Sequence, residues 1–266
     1  MSPWMAPPEA LQTGAMLTAL AQPGVFMRWS GRALPWLAPL TALAAAVGLY
    51  LAFFVAPPDY QQGETVRIMF VHVPAAWLAM FFYVNMAVAA LGTMIWRHPL
   101  ADVAQKAAAP IGAAFALICL VTGSLWGKPM WGTYWVWDAR LTSMLILFLM
   151  YCGVIALWRT IEDPARAARA VSILTLVGVV NIPIIKFSVD WWFTLHQGAS
   201  VLRMSGPAIH PSILQPLLVM AGAFTLFAIT LHLAAMRTEI LRRRVRRLSL
   251  LEAERLDAPA GARMVA

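Results

Sequence analysis

Charge is scarce in this chain: Asp, Glu, Lys and Arg together make up 12% of its 266 residues, against 61% hydrophobic. With a mean hydropathy of +0.71, that shortage excludes a soluble domain of this length and points to a multi-spanning membrane protein. Cysteine is nearly absent as well. Cys119 and Cys152 lie in apolar runs without C-x-x-C spacing, which argues against thiol redox chemistry and leaves them as small buried hydrophobes. No G-x-x-x-x-G-K-[ST] stretch occurs, so the chain offers no phosphate cradle of the ATP-hydrolysing kind. The first 27 residues hold no Lys or Arg, and their weak apolar run is broken by Pro23 and Gly24. A cleavable signal peptide is therefore not expected, and the first span serves as its own insertion signal.

What the chain has is six apolar runs of membrane-crossing length, at 34–55, 68–96, 107–126, 141–158, 168–187 and 212–236. Backbone amides in hydrocarbon must bond within their own segment, and the short alternating strands of a barrel are missing. The expected fold is thus all-α and polytopic, with six transmembrane helices. Cytoplasmic loops carry the excess of Lys and Arg. With the amino terminus inside, Arg28, Arg32, Arg97, Lys106, Arg159, Arg166, Arg169, Arg237, Arg242, Arg243, Arg244, Arg246, Arg247, Arg255 and Arg263 face inward, fifteen of the 20. Both termini are then cytoplasmic. The organisation reads as an amino-terminal segment 1–33, a six-helix domain 34–236 and a basic tail 237–266. Its LRRRVRR run at 241–247 is a juxtamembrane stop facing anionic lipid, not a nucleic-acid patch.

Three loops face outward on this topology, 56–67, 127–140 and 188–211, and the unusual residues gather there. WGTYWVWDARLTS, 131–143, crowds Trp131, Trp135 and Trp137 beside Asp138 and Arg140, just after Trp126, and DWWFTLHQG brings Trp191 and Trp192 close to His196. Single tryptophans at a membrane interface are ordinary belt residues. The 131–137 cluster fits a belt poorly, because Gly132, Thr133, Asp138 and Arg140 interrupt it, whereas a flat apolar ligand would cover the indoles, each burying roughly 150–250 Å². If the segment is helical, Trp131, Trp135 and Asp138 share a face at i, i+4, i+7.

Of five histidines, His72, His196 and His210 belong to the outer side, and ionisable groups at such positions are candidate functional residues. His72 lies two residues before Pro74, a residue suited to a first helical turn. His210, directly before Pro211, suits a capping role. Two neutral imidazoles across an aromatic slot would ligate heme iron from its two axial sides. Arg67, Lys128, Arg140, Lys186 and Arg203 would be the supply of cations for the propionates. A quinone or lipid site and a purely structural aromatic loop remain the alternatives from the residues alone.

The segments HVPAAW at 72–77, GKPMWGTYWVWDARLTS at 127–143, NIPIIKFSVDWWFTLHQG at 181–198 and HPSILQPLL at 210–218 resemble the tryptophan-rich WWD-domain heme-handling proteins of cytochrome c maturation, the CcmC, CcmF and CcsA type, and most closely the small CcmC members. The resemblance spans 34–236, with Tyr134 standing where another tryptophan is expected. It implies non-covalently bound b-type heme at the periplasmic face of the inner membrane, with His72 and His196 as axial ligands and Trp126, Trp131, Trp135, Trp137, Asp138, Arg140, Trp191 and Trp192 around the porphyrin. It also implies delivery of heme to the periplasmic chaperone CcmE, in company with the ABC transporter subunits CcmA and CcmB and the small membrane protein CcmD. The chain itself would not be an enzyme. Rival roles are a heme export channel and a cytochrome c heme ligation factor.

Overall fold

The computed structural model describes residues 22–198, 200–201 and 203–257. The far amino terminus, with Trp4, and the end of the basic tail, with Arg263, lie outside the described residues. Among the described residues seven α-helices follow in order: α1 (Pro23–Tyr50), α2 (Met69–Ile95), α3 (Ala101–Trp131), α4 (Ala139–Thr160), α5 (Pro164–Gly178), α6 (Asn181–Trp191) and α7 (Pro211–Asp257). A π-helical turn, Leu51–Val55, prolongs α1, and a 3-10 turn, Glu64–Ile68, leads into α2. They make six spans long and apolar enough to cross a bilayer, α5 and α6 together forming the fifth.

The six expected spans are present, but their limits move outward. α1 starts at Pro23, a residue preorganised for the first helical turn. Pro74 lies inside α2 and does not start it, because the 3-10 turn has already begun the helix. α3 continues through Pro129 to Trp131, so the loop expected from 127 begins later. The boundary drawn at 236 and 237 disappears into α7, which runs for 47 residues. At 1.5 Å per residue that is about 70 Å, over twice the roughly 30 Å of hydrocarbon.

The core lies between α2, α3, α4 and α5. Tyr151 of α4 inserts its ring against Gly112 of α3 and donates to the Ala79 carbonyl of α2 at 2.7 Å. Tyr83 packs edge-on to it and reaches Gly178, where α5 ends. The chain turns there, and Asn181 secures the start of α6 by donating to the Ser143 carbonyl at 2.9 Å. α6 consequently leans on α4, while α5 leans on both α2 and α4. α1 packs along α7, joined by a Thr41–Thr230 hydrogen bond of 3.0 Å.

At one end of the bundle Lys106 and Arg243 both meet Glu239 at 2.9 Å, and Arg243 meets Asp102 at 2.7 Å. The carboxylates and cations tie the extension of α7 to α3. At the other end the connections 56–63, 132–138 and 192–210 converge.

Candidate functional site

Between α2, α3, α4, α6 and the 192–210 connection lies a cavity of about 530 Å³, within the size range of small-molecule sites. His72 and His196 both border it, as do Trp126, Trp131, Trp135 and Arg140. Residues 124 positions apart in the chain thus become neighbours. Their imidazole centroids stand 6.3 Å apart with the rings nearly perpendicular, at 87°.

His72 is buried in the first turns of α2. Its Nδ1 lies 3.1 Å from both the Cys119 carbonyl and the Thr122 hydroxyl oxygen of α3. Trp126 stands edge-on to the ring, 5.7 Å between centroids, and its indole N–H donates to Gln62 Oε1 at 2.9 Å. His196 sits in the irregular 192–210 connection, held by its backbone N–H donating to Thr194 Oγ1 at 3.0 Å, with Trp131 at 5.2 Å. Burial first, then the His72 ring and the Arg140 charge, push the His196 pKa down to about 3. The imidazole is therefore neutral at physiological pH, the form that ligates metal.

The tryptophan-rich segment is not the helix that i, i+4, i+7 spacing would need. Gly132 takes a left-handed φ of 77° as the cap of α3, a conformation glycine adopts without a Cβ penalty, and residues 132–138 are loop. Trp137 swings outward, 75% exposed, and packs edge-on to Trp135. Asp138 caps α4, its Oδ1 accepting from the Leu141 N–H at 2.8 Å. Trp191 and Trp192 form an exposed aromatic cluster with Phe187 at the end of α6. Trp137, Asp138, Trp191 and Trp192 do not border the cavity. The porphyrin contacts expected of these four are therefore not placed at the cavity wall: the three indoles point to the exterior, and the Asp138 carboxylate is engaged in capping α4.

Of the five cations expected on the outer side, Arg140 and Lys186 line the cavity. Arg140 donates to Ser188 Oγ at 3.1 Å and to the Lys186 carbonyl at 3.2 Å, fastening α6 to α4. Arg67 pairs with Glu64, and Lys128 caps α3 by donating to the Gly132 carbonyl. Gln62, Trp77, Asp190 and Gln197 also border the cavity. Sequence reasoning did not single out Gln62, Trp77 or Gln197. For Trp77 the signal was present in the helical period, since it follows Val73 by one turn on the same face of α2 that His72 and Ala76 present to the cavity. His210 is exposed, accepts from the Ser212 N–H and caps α7.

The donors fit a porphyrin-bound iron. A metal–imidazole bond is about 2 Å and the ring centroid lies about 1 Å beyond the nitrogen, so two axial imidazoles would have centroids about 6 Å apart. Among the described residues no group of three or more His, Cys, Asp or Glu is placed to hold a bare ion. Two imidazoles alone complete only a metal whose other ligands come with it. The Trp135 indole N–H is buried without a partner, and a carboxylate on a bound molecule would satisfy it.

Fold and pocket together define a class: a polytopic membrane protein whose helices carry a two-histidine, tryptophan-lined pocket at one end. The chain belongs to the heme exporter protein C family, whose profile matches residues 16–251. It is 65% identical over 240 residues to a Bradyrhizobium diazoefficiens protein named heme exporter protein C, covering 90% of this chain and 91% of that one. The Escherichia coli K12 protein of the same name is 50% identical over 225 residues, 85% of this chain and 91% of its own. That of Paracoccus denitrificans is 48% identical over 227 residues, with 85% and 93% covered.

Proposed function

We propose that this chain binds b-type heme non-covalently at the periplasmic face of the inner membrane and presents it to the heme chaperone CcmE during cytochrome c maturation. CcmA and CcmB, the ABC transporter subunits, and CcmD are its companions in this reading. The observation that carries it is the imidazole pair, spaced for one iron between them. His72 and His196 hold the iron, Trp126, Trp131 and Trp135 cover the ring, and Arg140 with Lys186 offers positive charge to the propionates. The chain binds and orients its cargo and makes no covalent bond to it. Periplasmic placement of the site is favoured by the arginines gathered at the opposite end of the bundle.

Presentation is favoured over a through-channel by the packing beneath the pocket. Tyr83, Met86, Leu147 and Tyr151 are fully buried there. Detergent-purified protein is expected to show a low-spin heme spectrum that is lost or shifted in His72→Ala and in His196→Ala. Spectra unchanged in both variants would refute the ligand assignment.

A further inference from the structure

The turn of α3 facing His72 contains a small hydrogen-bonding device. Thr122 has one hydroxyl hydrogen, and its Oγ1 donates to the Ile118 carbonyl at 2.6 Å, with the Cys119 carbonyl at 3.3 Å as the other carbonyl within reach. When that hydrogen is on either carbonyl, the oxygen's lone pairs are free for a second partner. Toward His72 Nδ1, at 3.1 Å, the Thr122 oxygen is therefore an acceptor. The Cys119 carbonyl, also 3.1 Å from Nδ1, can only accept. One ring nitrogen thus faces a carbonyl that can only accept and, beside it, a hydroxyl oxygen placed to accept as well.

We propose that Thr122 is a positioning residue which, with the Cys119 carbonyl, fixes His72 as the Nδ1–H tautomer and leaves its Nε2 lone pair as the one available to a ligand of the cavity. This rests on reading the cavity as a heme site. Gly123 supplies the necessary closeness. A Cβ on Gly123 would lie 2.9 Å from His72 Cε1 and 3.4 Å from Nδ1, so any larger residue forces the ring away from both acceptors. A ligating histidine that donates its second N–H to a backbone or side-chain oxygen is a stronger base toward the metal. Thr122 thereby sets the donor strength of the His72 bond and favours the ferric over the ferrous state.

The test uses full-length, detergent-purified protein with labelled histidine. In the heme-free protein, carbon and nitrogen resonances of His72, assigned by their loss in His72→Ala, report the tautomer directly. Wild type and Thr122→Ser are expected to show Nδ1–H, and Thr122→Val, which keeps the volume but removes the oxygen, a mixture containing Nε2–H. In the heme-loaded protein, Thr122→Val is expected to shift the midpoint potential upward and Thr122→Ser to restore it toward wild type. A wild-type Nε2–H tautomer, or a Val variant matching wild type in both tautomer and potential, overturns the proposal. A heme spectrum unaffected by His72→Ala would instead overturn the heme reading of the pocket, and the heme-free tautomer would still decide whether Thr122 holds the ring.

Discussion

His196 shows how a single residue couples the pocket to acidity. Its ring lies against Trp131 and faces His72 across the pocket, and its pKa of about 3 lies well below the ordinary value of 6.5. An unfolded or opened connection would take up a proton below about pH 6.5, whereas the packed one refuses it until about pH 3. The packed state binds fewer protons across that interval, so its stability is full above about pH 6.5 and falls as the pH is lowered toward 3. Tryptophan fluorescence of the heme-free protein, titrated from about pH 7.5 to about pH 4, is expected to report opening of the 192–210 connection, and His196→Gln, which cannot titrate, to flatten that acid limb. The residues on which this rests were legible early, because histidine and tryptophan are rare enough in an apolar chain to draw notice. Gln62 and Gln197 were not, since an amide in a loop has no pattern until the loops meet.

Among the elements, the short connection between α3 and α4 has the most defined construction. Gly132 stops one helix with a left-handed cap and Asp138 starts the next with a side-chain cap, so the indoles between them are displayed from two fixed ends. Asp138→Ala is expected to cost about 1 kcal/mol, the usual worth of an N-cap. Asp138→Asn should cost much less, because Asn also caps. Thermal unfolding midpoints of the two variants in one detergent would check this. Spacing would have given an aromatic face here only if the segment were helical, and the glycine's backbone preference decides against that. Pro74 misled in the opposite direction: the helix had begun before it, through a 3-10 turn that no apolar period announces. The six spans themselves were plain in the sequence, since bilayer thickness imposes their length.

For the molecule as a whole, the sequence dictated the number of membrane-length helices, but not how they pack. That depends on close approaches such as Tyr151 on Gly112 and Tyr83 on Gly178, which join helices distant in sequence. Sidedness can be checked directly. In sealed right-side-out vesicles a membrane-impermeant maleimide is expected to label Met204→Cys, at a fully exposed position in the connection between α6 and α7. Leu250→Cys, on the far extension of α7, should react only after permeabilisation, and the reverse pattern would invert the topology. The two imidazoles, finally, are mounted very differently. His72 is built into a helix wedged against α3, while His196 hangs from irregular chain between α6 and α7. Withdrawing the first would deform a packed helix, whereas withdrawing the second would disturb only irregular chain and its contact with Trp131. If the pocket holds heme as proposed, exchange there would be directional: an incoming donor would approach on the coil-borne flank, and the helix-borne ring would be the last to let go.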